Sequence, residues 1–203
     1  MSRDTEQPGP RPGASDEDAA RLAVSVNNPD QFGEIFDRYF PDIHGYVARR
    51  LGRDIADDVA ADTFLTAFRA RHRFDPDRGT VRSWLYGIAT NHLSAYHRQE
   101  IRACKAAAAA NAAAPVAETE SLADRVAARV DAGAARRELA AALGGLPRGD
   151  REVLLLTALG GLTHAEVAAA LGIPSGTVGS RLNRVRRKLR SLVGAAVGNE
   201  QEA

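Results

Sequence analysis

A single cysteine, a single tryptophan and a single methionine stand among 203 residues, and aromatics make up only 5% of the chain. The lone Cys104 excludes an internal disulfide framework and any cysteine-rich zinc site. Long apolar runs are missing as well. A stretch such as Val153 to Leu156 falls far short of the roughly 20 residues that a bilayer-spanning helix needs. Met1 to Gly13 is polar and proline-rich, and no apolar core of a signal peptide follows it. These absences point to a cytoplasmic chain of a reducing compartment, with no direct insertion into a membrane. Lysine is scarce too: of 27 cationic residues, all but Lys105 and Lys188 are arginine. A GC-rich coding sequence accounts for part of that bias, so the position of the charges says more than their type.

The net charge of +1 argues, as an average, against a nucleic-acid partner. The average is uneven. Leu162 to Leu192 holds Arg181, Arg184, Arg186, Arg187, Lys188 and Arg190 against Glu166 alone, a local charge of +5 that leaves −4 for the rest. Composition divides the chain further. Residues 1–15 form a Pro/Gly-rich disordered tail, and residues 16–102 show repeated helical periodicity and hold most of the aromatics. Residues 103–134 open with an alanine run that has no large apolar group to bury, which marks a linker. Residues 135–194 form a second helical unit, and 195–203 a polar tail. No strand alternation and no internal repeat occurs. The expected fold is therefore all-α: two small helical domains, each with its own core, joined by a flexible linker.

The second unit carries the sharper pattern. Asp150 has the look of a helix N-cap, and Gly160-Gly161 ends that helix. Thr163 with Glu166 forms a capping box at the start of the next, and Gly172-Ile173-Pro174 makes a tight turn. On the following helix Val178, Leu182, Val185 and Leu189 make one apolar stripe at spacings of 4, 3 and 4. The other face shows Thr177, Ser180, Arg181, Asn183, Arg184, Arg187 and Lys188. Helix, glycine turn and a second helix with a polar-basic face describe a helix-turn-helix. The stripe fixes the second helix on the first, so that its free face can enter a DNA major groove. Hydroxyl, amide and guanidinium groups there can reach phosphates and base edges.

The first unit reads less clearly. Over DIADDVAADTFLTAFRARHR, Ala61, Phe64, Leu65 and Phe68 mark an apolar face and Asp58, Asp62 and Thr66 another. A turn-rich loop follows from Phe74 to Thr80, and then a helix whose inward side is marked by Val81, Trp84, Leu85, Ile88 and His92. A flexible polar loop before an aromatic-bearing basic helix suits contact with unstacked bases, although Trp84 and Tyr86 are more often core residues than stacking platforms.

DDVAADTFLTAFRARHRFDPDRGTVRSWLYGIATN resembles region 2 of an extracytoplasmic function (ECF) sigma factor. LPRGDREVLLLTALGGLTHAEVAAALGIPSGTVGSRLNRVRRKL resembles region 4 of the same family, in the same order and across a variable linker. The resemblance implies a bacterial transcription initiation factor that binds core RNA polymerase and directs it to promoter DNA. It implies that Asp57, Asp58 and Asp62 dock on the β′ clamp helices. Phe74, Asp75, Asp77, Arg78 and Thr80 would form the pocket for a base flipped from the −10 element, with Asn91 a further −10 contact. Ser180, Asn183 and Arg184 would lie nearest the −35 bases, and Thr177, Arg181 and Arg187 nearest its phosphates. An anti-sigma partner, often membrane-bound in this family, is implied as well. One departure is Gly179, where many relatives carry a cation.

The alternative is a free-standing helix-turn-helix regulator that binds an operator without polymerase. An enzyme needs a nucleophile with an activating neighbour, or ligands at metal spacing. His92 and His97 are five apart, His44, His72 and His164 are scattered, and Asp57 and Asp58 point to different faces. No catalytic group, metal site or cofactor is expected.

Overall fold

The computed structural model describes residues 14–110 and 142–199, with side chains over 16–107 and 142–190. Every regular element among these residues is helical. The first unit contains α1 (Ala14–Ser25), α2 (Phe32–Leu51), α3 (Arg53–Ala70) and α4 (Val81–Ala110); the second contains α5 (Arg148–Ala158), α6 (His164–Leu171) and α7 (Ser175–Asn199).

Small residues let α3 lie close against α2. Its buried side is Ala56, Val59, Ala60, Thr63, Phe64 and Ala67, whereas Ala61 and Leu65 face solvent. The apolar face expected from Ala61 and Leu65 is thus rotated. Large residues suggested one stripe, but close helix approach selects alanine. On α4, Val81, Leu85, Tyr86, Ala89 and Leu93 are buried, while Trp84, Ile88 and His92 are only partly so. Burial pushes the Tyr86 phenol up to about 12. This helix runs 30 residues, about 45 Å at 1.5 Å per residue. It therefore continues through residues 103–110 of the expected linker, as alanine's intrinsic preference allows. The remainder of that linker and most of the expected N-terminal tail lie outside the described residues, whereas α7 runs on to Asn199 and so takes in 195–199 of the expected C-terminal tail.

In the second unit α5 starts at Arg148, not after Asp150. Asp150 is a first-turn residue with only 2% of its surface exposed, so it is no cap. The capping box at the start of α6 is formed: the Glu166 amide donates to Thr163 Oγ1 at 3.3 Å, and the Thr163 amide to Glu166 Oε2 at 2.9 Å. Gly172 ends α6 in the left-handed region at φ 62°, which a β-carbon would disfavour. Val178, Leu182 and Val185 are buried as one stripe of α7, and Leu189 partly so.

Two separate cores were expected, yet a single apolar cluster runs from Leu22 and Ile35 through Leu85 to Val153, Val167 and Leu182. The units meet chiefly where α4 crosses α6. Gly87 makes that crossing possible, since a β-carbon there would stand 2.7 Å from the carbonyl oxygen of Ala170. Gly87→Val is expected to part the units, raising the radius of gyration in solution scattering while helicity by circular dichroism stays near that of the native chain. An unchanged radius would show that the crossing does not depend on this close approach.

Candidate nucleic-acid and protein interfaces

The polar face of α7 has the composition of a groove-reading surface. Ser180, Asn183, Arg184 and Arg187 are exposed, and Thr177 and Arg181 are half-buried beside them. Two of these arginines are tied from behind. Arg184 Nη1 donates to both carboxylate oxygens of Asp150, at 2.9 and 3.0 Å, and Arg181 Nη1 donates to the Gly149 carbonyl at 3.3 Å. Charge-assisted bonds of this kind fix the orientation of a guanidinium. Asp150 was singled out in the sequence for capping; its actual task is to position Arg184. At Gly179 an added β-carbon would meet nothing within 4 Å, so the polar face has a gap there.

The loop from Phe74 to Thr80 is held by short-range bonds. The Asp77 amide donates to Asp75 Oδ1 at 3.0 Å, and the Ser83 amide donates to Thr80 Oγ1 at 3.1 Å, so Thr80 serves the first turn of α4. Phe74 packs on Trp84 with ring centroids 5.4 Å apart. Asp75, Asp77 and Arg78 remain exposed. A cavity of about 320 Å³ lies against Pro76 to Thr80, and its far wall comes from Ala165, Glu166 and Ala169 of the second unit. Asn91 is also exposed, but it stands three turns down α4 from Thr80, about 16 Å along the axis. The structure therefore does not gather all the expected −10 residues into one pocket.

Asp57, Asp58 and Asp62 are all exposed on α3, with Leu65 alongside at 44% exposure. Asp57 bonds His44 of α2 at 2.9 Å, His44 stacks on Phe40, and Phe40 stacks on the half-exposed Phe36. The acidic stripe thus borders an aromatic one that sequence reading passed over. Its signal was present as Phe36, Phe40 and His44 at successive spacings of four.

Between the units, basic side chains of the first meet acceptors of the second. Arg50 donates through both terminal nitrogens to Glu152, at 2.7 and 2.8 Å, and both side chains are buried. Arg50 also donates to the Tyr46 hydroxyl at 2.7 Å. Arg82 Nη2 reaches the Gly160 carbonyl at 2.7 Å and Nη1 the Glu166 carboxylate at 3.4 Å, while Arg49 donates to the Leu159 carbonyl at 2.6 Å. No local pattern could reveal these pairs, because their members lie about a hundred residues apart.

Comparison with known proteins decides what carries these surfaces. A family model described as Sigma-70 region 2 matches residues 35–103, and one described as Sigma-70, region 4 matches residues 136–189. The RNA polymerase sigma factor CnrH of Cupriavidus metallidurans is 33% identical over 194 residues, covering 88% of this chain and 96% of that protein. The ECF RNA polymerase sigma factor SigK of Mycobacterium ulcerans is 31% identical, covering 91% of this chain and 98% of that one. The chain belongs to the ECF sigma factor family. A solved structure of CnrH in complex with the cytosolic domain of CnrY is similar at a TM-score of 0.59 and 31% identity, over 88% of this chain and 97% of that chain.

This sigma factor is thus a transcription initiation factor with a helix-turn-helix in its region 4, formed by α6 and α7. Its family is one of transcription factors, and no catalytic activity is attached to that membership. Among the described residues no helix is long and apolar enough to cross a membrane.

Proposed function

We propose that this sigma factor brings core RNA polymerase to specific promoters in the cytoplasm, acting as a binding subunit and not as an enzyme. The first unit, over 16–102, would contact the polymerase and the −10 element; the second, over 135–194, would read the −35 element. What carries this reading is the coexistence of two surfaces of opposite sign. The exposed Asp57, Asp58 and Asp62 border an aromatic stripe suited to a basic protein partner, and the exposed basic face of α7 suits duplex DNA. The −10 role of the loop rests on Asp77 and Arg78 lining a cavity, with Asp75 exposed next to them, and on the exposure of Asn91. Insertion of a flipped base there would offset the few kcal/mol of unstacking and so aid melting. A restraining protein partner is part of the proposal, since CnrH has been solved with the cytosolic domain of CnrY and the aromatic stripe offers apolar surface.

Run-off transcription with purified core polymerase tests the reading, on one template with a closed promoter and one already melted. Promoter-specific initiation on both is expected, and a chain that neither binds core nor adds initiation would refute it. Tight binding to an operator without polymerase would favour a free-standing regulator instead.

Within α7 the contacts should separate into two kinds. Asn183→Ala and Arg184→Ala are expected to cost about 1–3 kcal/mol and to relax −35 preference, whereas Arg187→Ala weakens binding to all sequences alike. Competition binding on a panel of −35 variants measures this, and identical profiles for all three would contradict the division.

A further inference from the structure

Where α2 and α4 face α5, the two units line a partly open cavity of about 220 Å³. Its lining is strongly positive. Arg50, Arg98, Arg148 and Arg151 contribute to it, His97 stands beside them, and Glu152 is the one carboxylate among the described residues of its walls. That carboxylate is spent on Arg50, which it grips through both terminal nitrogens. Arg151 donates to the carbonyls of Leu143, Gly144 and Leu146, which supply no negative charge. Arg98 and Arg148 are exposed and make no ion pair among the described residues. The wall therefore holds an excess of positive charge that no carboxylate among the described residues answers.

Two buried donors point the same way. Arg50 Nε and Ser94 Oγ lack a hydrogen-bond partner, and their residues, at 5% and 9% exposure, both line this cavity. A buried donor left unmatched costs about 1–3 kcal/mol, more for a charged one. A water molecule could accept from both, but it would leave the charge unanswered. An oxyanion does both, and a guanidinium fork is shaped for phosphate. The remaining wall includes Leu51 and Leu93, which suits a small carbon body behind the charged head.

We infer that this cavity between the units is a binding site for a small phosphate monoester, held by Arg50 Nε, Ser94, Arg98 and Arg148. The walls belong to both units, so the bound anion stabilises only their packed arrangement. The inference stands apart from the promoter reading, because binding can be measured without polymerase or DNA.

Calorimetric titration and thermal melting of the full chain with ribose 5-phosphate and with inorganic phosphate test it. Ribose and sodium chloride at matched ionic strength serve as controls. Saturable binding of either phosphate probe is expected, with a rise in Tm that neither control produces. In R98Q/R148Q, whose exposed side chains leave the core intact, the affinity should fall at least about tenfold with the ligand-free Tm unchanged. S94A should weaken binding as well. Three results would each overturn the site: no saturable response to either phosphate, an equal response to chloride, or undiminished binding by R98Q/R148Q.

Discussion

Glu152→Ala is expected to destabilise the free chain by about 3–5 kcal/mol, the usual consequence of removing one member of a buried ion pair. The reason lies in what remains. Arg50 is buried at 5% exposure, and alanine would leave its terminal nitrogens with only the Tyr46 hydroxyl as partner. Burial works against the Arg50 charge, and Tyr46 and Glu152 together outweigh it, so its pKa lies above the ordinary value. An arginine cannot escape by losing its proton. Water must enter, or the two units must part. Urea unfolding of the native and substituted chains measures the loss, and a difference under about 1 kcal/mol would show that the pair is already solvated. A combined Arg50→Met, Glu152→Leu replacement should recover most of the stability, because buried pairs are often no better than well-packed apolar ones.

Asp58→Lys should have a comparably large effect on a different measurement. Asp58 is exposed on α3 and shares that surface with Asp57, Asp62 and Leu65. Reversing one charge in a docking patch removes an attraction and adds a repulsion. A loss of about 2–5 kcal/mol in core binding is expected, on the order of 30-fold or more in affinity. The melting temperature should not change, since the side chain is exposed. Affinity for core polymerase that stays within about twofold of native would remove Asp58 from the proposed interface.

How far the sequence foretold these surfaces depended on the range of the forces involved. The capping box of Thr163 and Glu166, the turn at Gly172 and the stripe of Val178, Leu182 and Val185 were all readable, because each is settled within one or two helical turns. The inward side of α3 was misread where alanines, not large residues, met α2. Asp150 was placed correctly near a helix start and given the wrong partner, since Arg184 is brought to it only by packing of α7 on α5. The pairs formed by Arg50 and Arg82 lay beyond any local pattern. So did the continuity of the core, which depends on small residues such as Gly87 and Ala170 that carry no periodic signal.

The close crossing at Gly87 also sets a thermodynamic condition on every partner that needs the units apart. Such a partner meets only the open fraction of molecules, and its apparent dissociation constant is the intrinsic one divided by that fraction. A 99-to-1 bias toward the packed arrangement would weaken binding about 100-fold, with no change in any residue that touches the partner. Gly87→Val would then act at a distance as an affinity-raising substitution, and Glu152→Ala would do the same while costing stability. For such a partner, affinity would be set partly by residues that face neither DNA nor polymerase.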